Sequence, residues 1–81
     1  MRILDQINDQ PLRHILVMLT LEEAEQLLGS LERLVDTVEC NPLNHSHVSD
    51  MEMSRQITIG IYTPNNIQYF TDRVRQLIDE D

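Results

Sequence analysis

The chain has 81 residues, a single cysteine, 41% hydrophobic residues and a formal net charge of −8. That length bounds it to one domain, residues 1–81, and a chain so short buries only about 60% of the surface its unfolded form exposes, so dimerisation or a partner would add to a thin core. The acidic balance argues against nucleic acid and membrane surfaces as partners, and one cysteine excludes an internal disulfide.

The longest unbroken apolar run, Ile15 to Leu19, falls far short of the ~20 residues of a membrane span. No cationic apolar leader precedes it, so a cytoplasmic location is expected. From the start, Ile3 and Ile7 flank Asp5 in a short edge-strand pattern, and Asn8-Asp9-Gln10-Pro11 carries turn chemistry. Leu12 to Leu19, LRHILVML, is apolar at almost every position and ends at a helix cap. Such a run reads as a strand buried on both faces, the second arm of an opening hairpin and the centre of a sheet.

Thr20 to Cys40 is the strongest helical pattern. Leu21, Ala24, Leu27, Leu28, Leu31, Leu34, Val35 and Val38 fall on one side of a helix. Thr20 with Glu23 forms a capping box at its start, and Asn41-Pro42 stops it. Gly29 inside it costs about 1 kcal/mol, through simple tolerance or for close approach of a neighbouring strand or partner. Asn41 to Asp50 follows as a polar connection without periodicity. Met51 to Tyr62 alternates, with Ile57, Ile59 and Ile61 on one side and the packed part beginning near Gln56, which predicts a strand with one wet face. Thr63-Pro64 then opens a second helix with Ile67, Phe70, Val74, Leu77 and Ile78 as its buried stripe. Asp79, Glu80 and Asp81 put negative charge at the negative end of its dipole, so the last turn is expected to fray.

The expected fold is therefore α+β, of order ββαβα. A three-stranded mixed sheet with its second strand central carries two helices on one face, joined by a right-handed crossover. Two helices on one side hide only one face of that central strand. Leu16 and Met18, with Tyr62 and Leu4 beside them, are left as an apolar patch of the kind that marks an interface.

Candidate chemistry is sparse. Cys40, His45, His47 and Asp50 are metal-ligand types close in sequence, but no second pair completes the spacing of a zinc motif. Cys40 near a helix C-terminus, beside Asp36 and Glu39, is a poor nucleophile. With two glycines, both inside elements, no phosphate-cradling loop is available. Glu22, Glu25, Glu32, Asp36 and Glu39 share a helical face beside the apolar one, either as a solvated face or as a docking surface for a basic protein.

LTLEEAEQLLGSLERLV, followed by HSHVSD and ITIGIYT, resembles small bacterial domains found among predicted immunity proteins of toxin systems, over roughly Leu16 to Thr63. That resemblance implies a non-enzymatic inhibitor that binds a cognate toxin, often a basic nuclease, and assigns no contact residue. The leading expectation is a small acidic interaction protein, not an enzyme and without a cofactor, binding another protein and itself. Glu25, Glu32 and Asp36 supply charge, and Leu16, Met18 and Tyr62 supply apolar contact. The alternatives are a metal-binding protein using His45, His47, Asp50 and Cys40, or a regulatory subunit.

Overall fold

The computed structural model describes residues 1–80, all but the side chain of Glu80. Asp81, at the end of the turn expected to fray, lies outside them. The element order is β1 (Ile3–Asp5), β2 (Gln10–Leu12), α1 (Leu21–Thr37), β3 (His45–Ser49), β4 (Gln56–Gly60), a 3-10 turn (Ile67–Tyr69) and α2 (Asp72–Glu80). The strands form two separate two-stranded antiparallel sheets, β1–β2 and β3–β4.

α1 starts as its sequence dictates. The Glu23 amide donates to Thr20 Oγ1 at 3.1 Å and the Thr20 amide donates to the Glu23 carboxylate at 2.9 Å, which closes the capping box. The helix ends at Thr37, a turn ahead of Asn41-Pro42, where the Asn41 amide donates to the Thr37 carbonyl at 2.7 Å. Its inner line is narrow: Ser30 and Leu34 are the buried residues, and α1 packs on β3. Leu21, Leu28, Leu31 and Val35 stay exposed.

The β3–β4 hairpin runs from His45 opposite Gly60 to Ser49 opposite Gln56. β4 begins at the expected Gln56, whereas β3 arises from residues read as a loop. Ser46 and Val48 turn inward along β3 while His45 and His47 are exposed, so the alternation is real but only Val48 is apolar. Asp50 closes the connection: its carboxylate accepts the amides of Ser54 at 2.8 Å and Arg55 at 3.2 Å, and Met53 takes a left-handed φ of 57°.

This hairpin overturns the three-stranded sheet. Only Gln10–Leu12 joins a ladder, and that ladder is the one with β1; Leu12 to Leu19 is neither a central strand nor buried. The right-handed crossover falls with it. Pairing β4 with β3 across a short turn costs far less loop entropy than pairing it with a segment on the other side of α1. The opening hairpin does exist, but it turns over residues 6–9 rather than Asn8–Pro11, and Pro11 sits in β2 opposite Leu4. Its turn hangs on Asp5, whose carboxylate accepts the amides of Ile7 and Asn8 and the Asn8 side chain. Asp9 supplies the left-handed residue at φ 55°.

The second helix is also corrected, since α2 starts at Asp72 rather than Pro64. Asn66 intervenes. Its side chain is buried, donating to the carbonyls of Pro42 at 2.9 Å and Ile61 at 3.0 Å and accepting the Thr63 amide at 2.7 Å. A side chain that holds three backbone groups fixes the Thr63–Asn66 turn and leaves a 3-10 turn in place of a helical one. α2 is then capped by Thr71, whose hydroxyl accepts the Val74 amide at 3.3 Å. Arg73 reaches Asp9 at 2.6 Å and Arg2 donates to the Ile78 carbonyl at 3.1 Å, tying α2 to the opening hairpin.

Leu34 (2% exposed), Val48 and Leu77 are the buried apolar residues. The accessible surface is 6652 Å² for a 9.5 kDa chain, against about 5,000 Å² for a compact monomer of that mass. The radius of gyration, 13.4 Å, likewise exceeds the roughly 12 Å of a compact domain of this length. About 1,600 Å² of surface that a compact monomer would hide is therefore open.

Two stability predictions follow from these placements. Asn66→Ala leaves buried backbone groups unpaired, at about 1–3 kcal/mol each, and should lower the urea midpoint sharply without changing the far-ultraviolet helix signal of the remaining native protein. Gly29→Ala should raise the unfolding free energy by about 1 kcal/mol, and the midpoint with it, because an added Cβ would meet only the tip of Arg33, at 3.7 Å. That ordinary contact removes the reading of Gly29 as a point of close approach by a strand of this chain.

Candidate protein-binding surfaces and the histidine hairpin

Two apolar surfaces and one polar hairpin face carry most of the residues singled out in the sequence. The first surface is on α1. Each helical residue advances about 100° around the axis, so Leu21, Leu28 and Val35, seven residues apart, line up about 140° around the helix from the buried Ser30–Leu34 line. Glu25, Glu32 and Asp36 come next around the helix and are all exposed. An apolar stripe with a carboxylate border results. Leu31, Glu32, Val35 and Asp36 line a shallow open depression along it. Arg33, the one cation of α1, lies on the far side of the acids and donates to Ser30 Oγ at 3.3 Å.

The second surface is the segment His14–Leu19, outside both ladders and both helices. Its exposure alternates: Ile15 54%, Leu16 84%, Val17 45%, Met18 81%. Odd-numbered side chains are the more covered and even-numbered ones the more open, which is the period of a strand. Leu16 and Met18 are thus together and open. Tyr62, expected beside them on a shared sheet face, lies past the end of β4 and is only partly open; the sheet that would have joined the three is missing.

His45 and His47 project from the same side of β3, with ring centroids 5.0 Å apart and edge to face. Nδ1 of His47 is engaged, 2.7 Å from the Gln56 amide nitrogen and 2.8 Å from Thr58 Oγ1 across the hairpin. Asp50 is not beside them as a ligand, because its carboxylate serves the turn and pairs with Arg55 at 3.2 Å. Cys40 is exposed and its thiol donates to the Thr37 carbonyl at 3.4 Å. Among the described residues, no three His, Cys, Asp or Glu side chains assemble into a group that could hold a metal ion.

Sequence reasoning missed Asn66, a buried polar pin with no motif to mark it. The repeat of Thr-Pro-Asn-Asn turn formers after a strand was the available signal. Also among the described residues, no helix is long and apolar enough to cross a membrane. No protein-family model, curated protein or solved structure matches the chain.

Two carboxyls have shifted acidities. The Asn8 side chain and the Asn8 and Ile7 amides hold Asp5 below the ordinary aspartate value. Desolvation raises Asp50, but the Arg55 and Ser54 groups outweigh it and the net shift is again downward. For a depressed carboxyl, the turn's stabilisation is complete above the ordinary value of 3.8 and is lost as pH falls through the folded-state value. Carboxyl NMR titration should therefore give midpoints below 3.8 for both aspartates, with both turns intact in mild acid; a midpoint at or above that value would contradict the turn bonds.

Proposed function

We propose that this chain works by binding another protein, without catalysis, and that its α1 stripe takes a partner presenting apolar side chains edged by Lys or Arg. The observation that carries this reading is the row of exposed Leu21, Leu28, Leu31 and Val35 bordered by Glu25, Glu32 and Asp36. Apolar area supplies affinity and the border selects the sign of the partner. A net charge of −8 speeds encounter with a basic protein and repels acidic ones. A cytoplasmic inhibitor that occupies a basic toxin, as the resemblance to immunity-type domains implies, would use such a surface.

The reading supplies its own test. An amphipathic helical peptide with leucines on one side and lysines along both edges should bind the wild-type chain, more weakly as salt is raised. Glu32→Lys with Asp36→Lys should weaken that binding by about tenfold or more at low salt, equivalent to about 1.4 kcal/mol. Leu28→Asp should abolish it, and all three substitutions are at exposed positions. Binding indifferent to salt and to both sets of changes would overturn the assignment.

A further inference from the structure

We propose that two copies of this chain join through the segment His14–Leu19, paired antiparallel about a two-fold axis at Val17. This concerns a different surface from the α1 stripe and does not rest on it.

Three observations converge on a second copy as the occupant. The exposure of the segment alternates with the period of a strand, yet neither ladder takes it in, so its amides and carbonyls have no strand beside them. An apolar segment in that condition is a template for strand pairing. Charge then separates the candidate partners. Arg13 to Thr20 contains no carboxylate in a chain of net charge −8, so pairing along it sets no acid of the segment against its own equivalent. The α1 stripe is less suited to antiparallel self-pairing, because such a two-fold pair would bring the Glu25, Glu32 and Asp36 edge against the same edge of the second copy.

Area supplies the third argument. About 1,600 Å² per chain is open beyond what a compact monomer exposes, whereas a standard interface takes about 800 Å² from each partner. The excess accommodates a dimer through this segment and leaves the α1 stripe uncovered for another occupant.

The alternation fixes the register. Odd-numbered side chains are the more covered in both copies, and residues directly opposite in a ladder share a face. A two-fold axis normal to the ladder must therefore pair residues of the same parity. Centring it on Val17 sets Leu16 across from Met18 of the second copy and Ile15 across from Leu19, so the five consecutive apolar residues, Ile15–Leu19, all meet apolar partners. Val17 meets itself.

Sedimentation velocity and cysteine crosslinking decide the matter. The wild-type chain at high micromolar concentration should sediment at twice the 9.5 kDa of one chain. Leu16→Asp and Met18→Asp, both at outward positions, should halve that mass with the helix signal retained. In a Cys40→Ser background, Val17→Cys should form an interchain disulfide under mild oxidation much faster than Met51→Cys, which is exposed but off the segment. Opposed strand residues sit about 4.5–5.5 Å apart at Cα, within disulfide reach. The dimer should survive Glu32→Lys, which separates this result from the fate of the α1 reading. A monomeric wild type, a dimer indifferent to both aspartates, or Val17→Cys crosslinking no faster than Met51→Cys would each overturn the proposal. If an aspartate variant unfolds, the crosslinking comparison alone decides.

Discussion

The packing of α1 on β3 is the contact on which the rest of the molecule depends, and its limit is the width of the hairpin behind it. Two strands cover one line of a helix, and here that line is Ser30 and Leu34 against a strand whose one buried apolar side chain is Val48. The apolar arc of α1 is wider than that. Its overflow, Leu21, Leu28, Leu31 and Val35, is the exposed stripe, so the candidate binding surface and the thin core have one cause.

With so little apolar burial, polar side chains hold the chain's turns. Asp5 gathers Ile7 and Asn8, Asp50 gathers Ser54 and Arg55, and Asn66 gathers Thr63, Pro42 and Ile61. Each fixes a backbone reversal with bonds that are individually worth about 1 kcal/mol. Of these, Asn66 alone is buried, where an unmade bond costs most. The opening hairpin meets α2 through Arg73 with Asp9 and Arg2 with Ile78, contacts that involve exposed groups and add little stability. The molecule is thus locally well specified and globally lightly fastened, which suits a chain that gains further packing on association.

What was legible in the sequence was local chemistry. The Thr20–Glu23 box fixes the start of α1, and the alternation of Ile57 and Ile59 locates β4, because both signals reside in a few neighbouring residues. β3 was not legible: in His45–Ser49 the inward positions are Ser46 and Val48, so a period of two exists without an apolar period of two. The expected helix at Thr63 failed because Pro64 at a first helical position and Pro64 in a turn look alike until Asn66 is seen gripping three backbone groups. Leu12 to Leu19 failed differently. Its composition fits a buried strand, and beyond Leu12 the structure gives it alternating exposure with no ladder, since β4 had a nearer partner in β3. The acidic border of Glu25, Glu32 and Asp36 was readable from helical periodicity alone, while the separation of Tyr62 from Leu16 and Met18 depended on tertiary structure.

The two open surfaces differ in a way that bears on how one small chain could serve two contacts. They are joined end to end, since the segment His14–Leu19 runs through Thr20 into α1, yet their charge borders are opposite in consequence. Carboxylates beside Leu28 and Val35 make that stripe costly for another acidic chain and favourable for a basic one. Ile15 to Met18 contains no carboxylate of its own, so a second copy paired there meets no acid within the segment. Apolar exposure by itself draws any greasy surface; the placement of Glu25, Glu32 and Asp36 sorts those encounters. A chain with a thin core and two sorted surfaces is completed by its contacts, and the Thr20 cap, by fixing where the segment ends and the helix begins, sets the boundary between them.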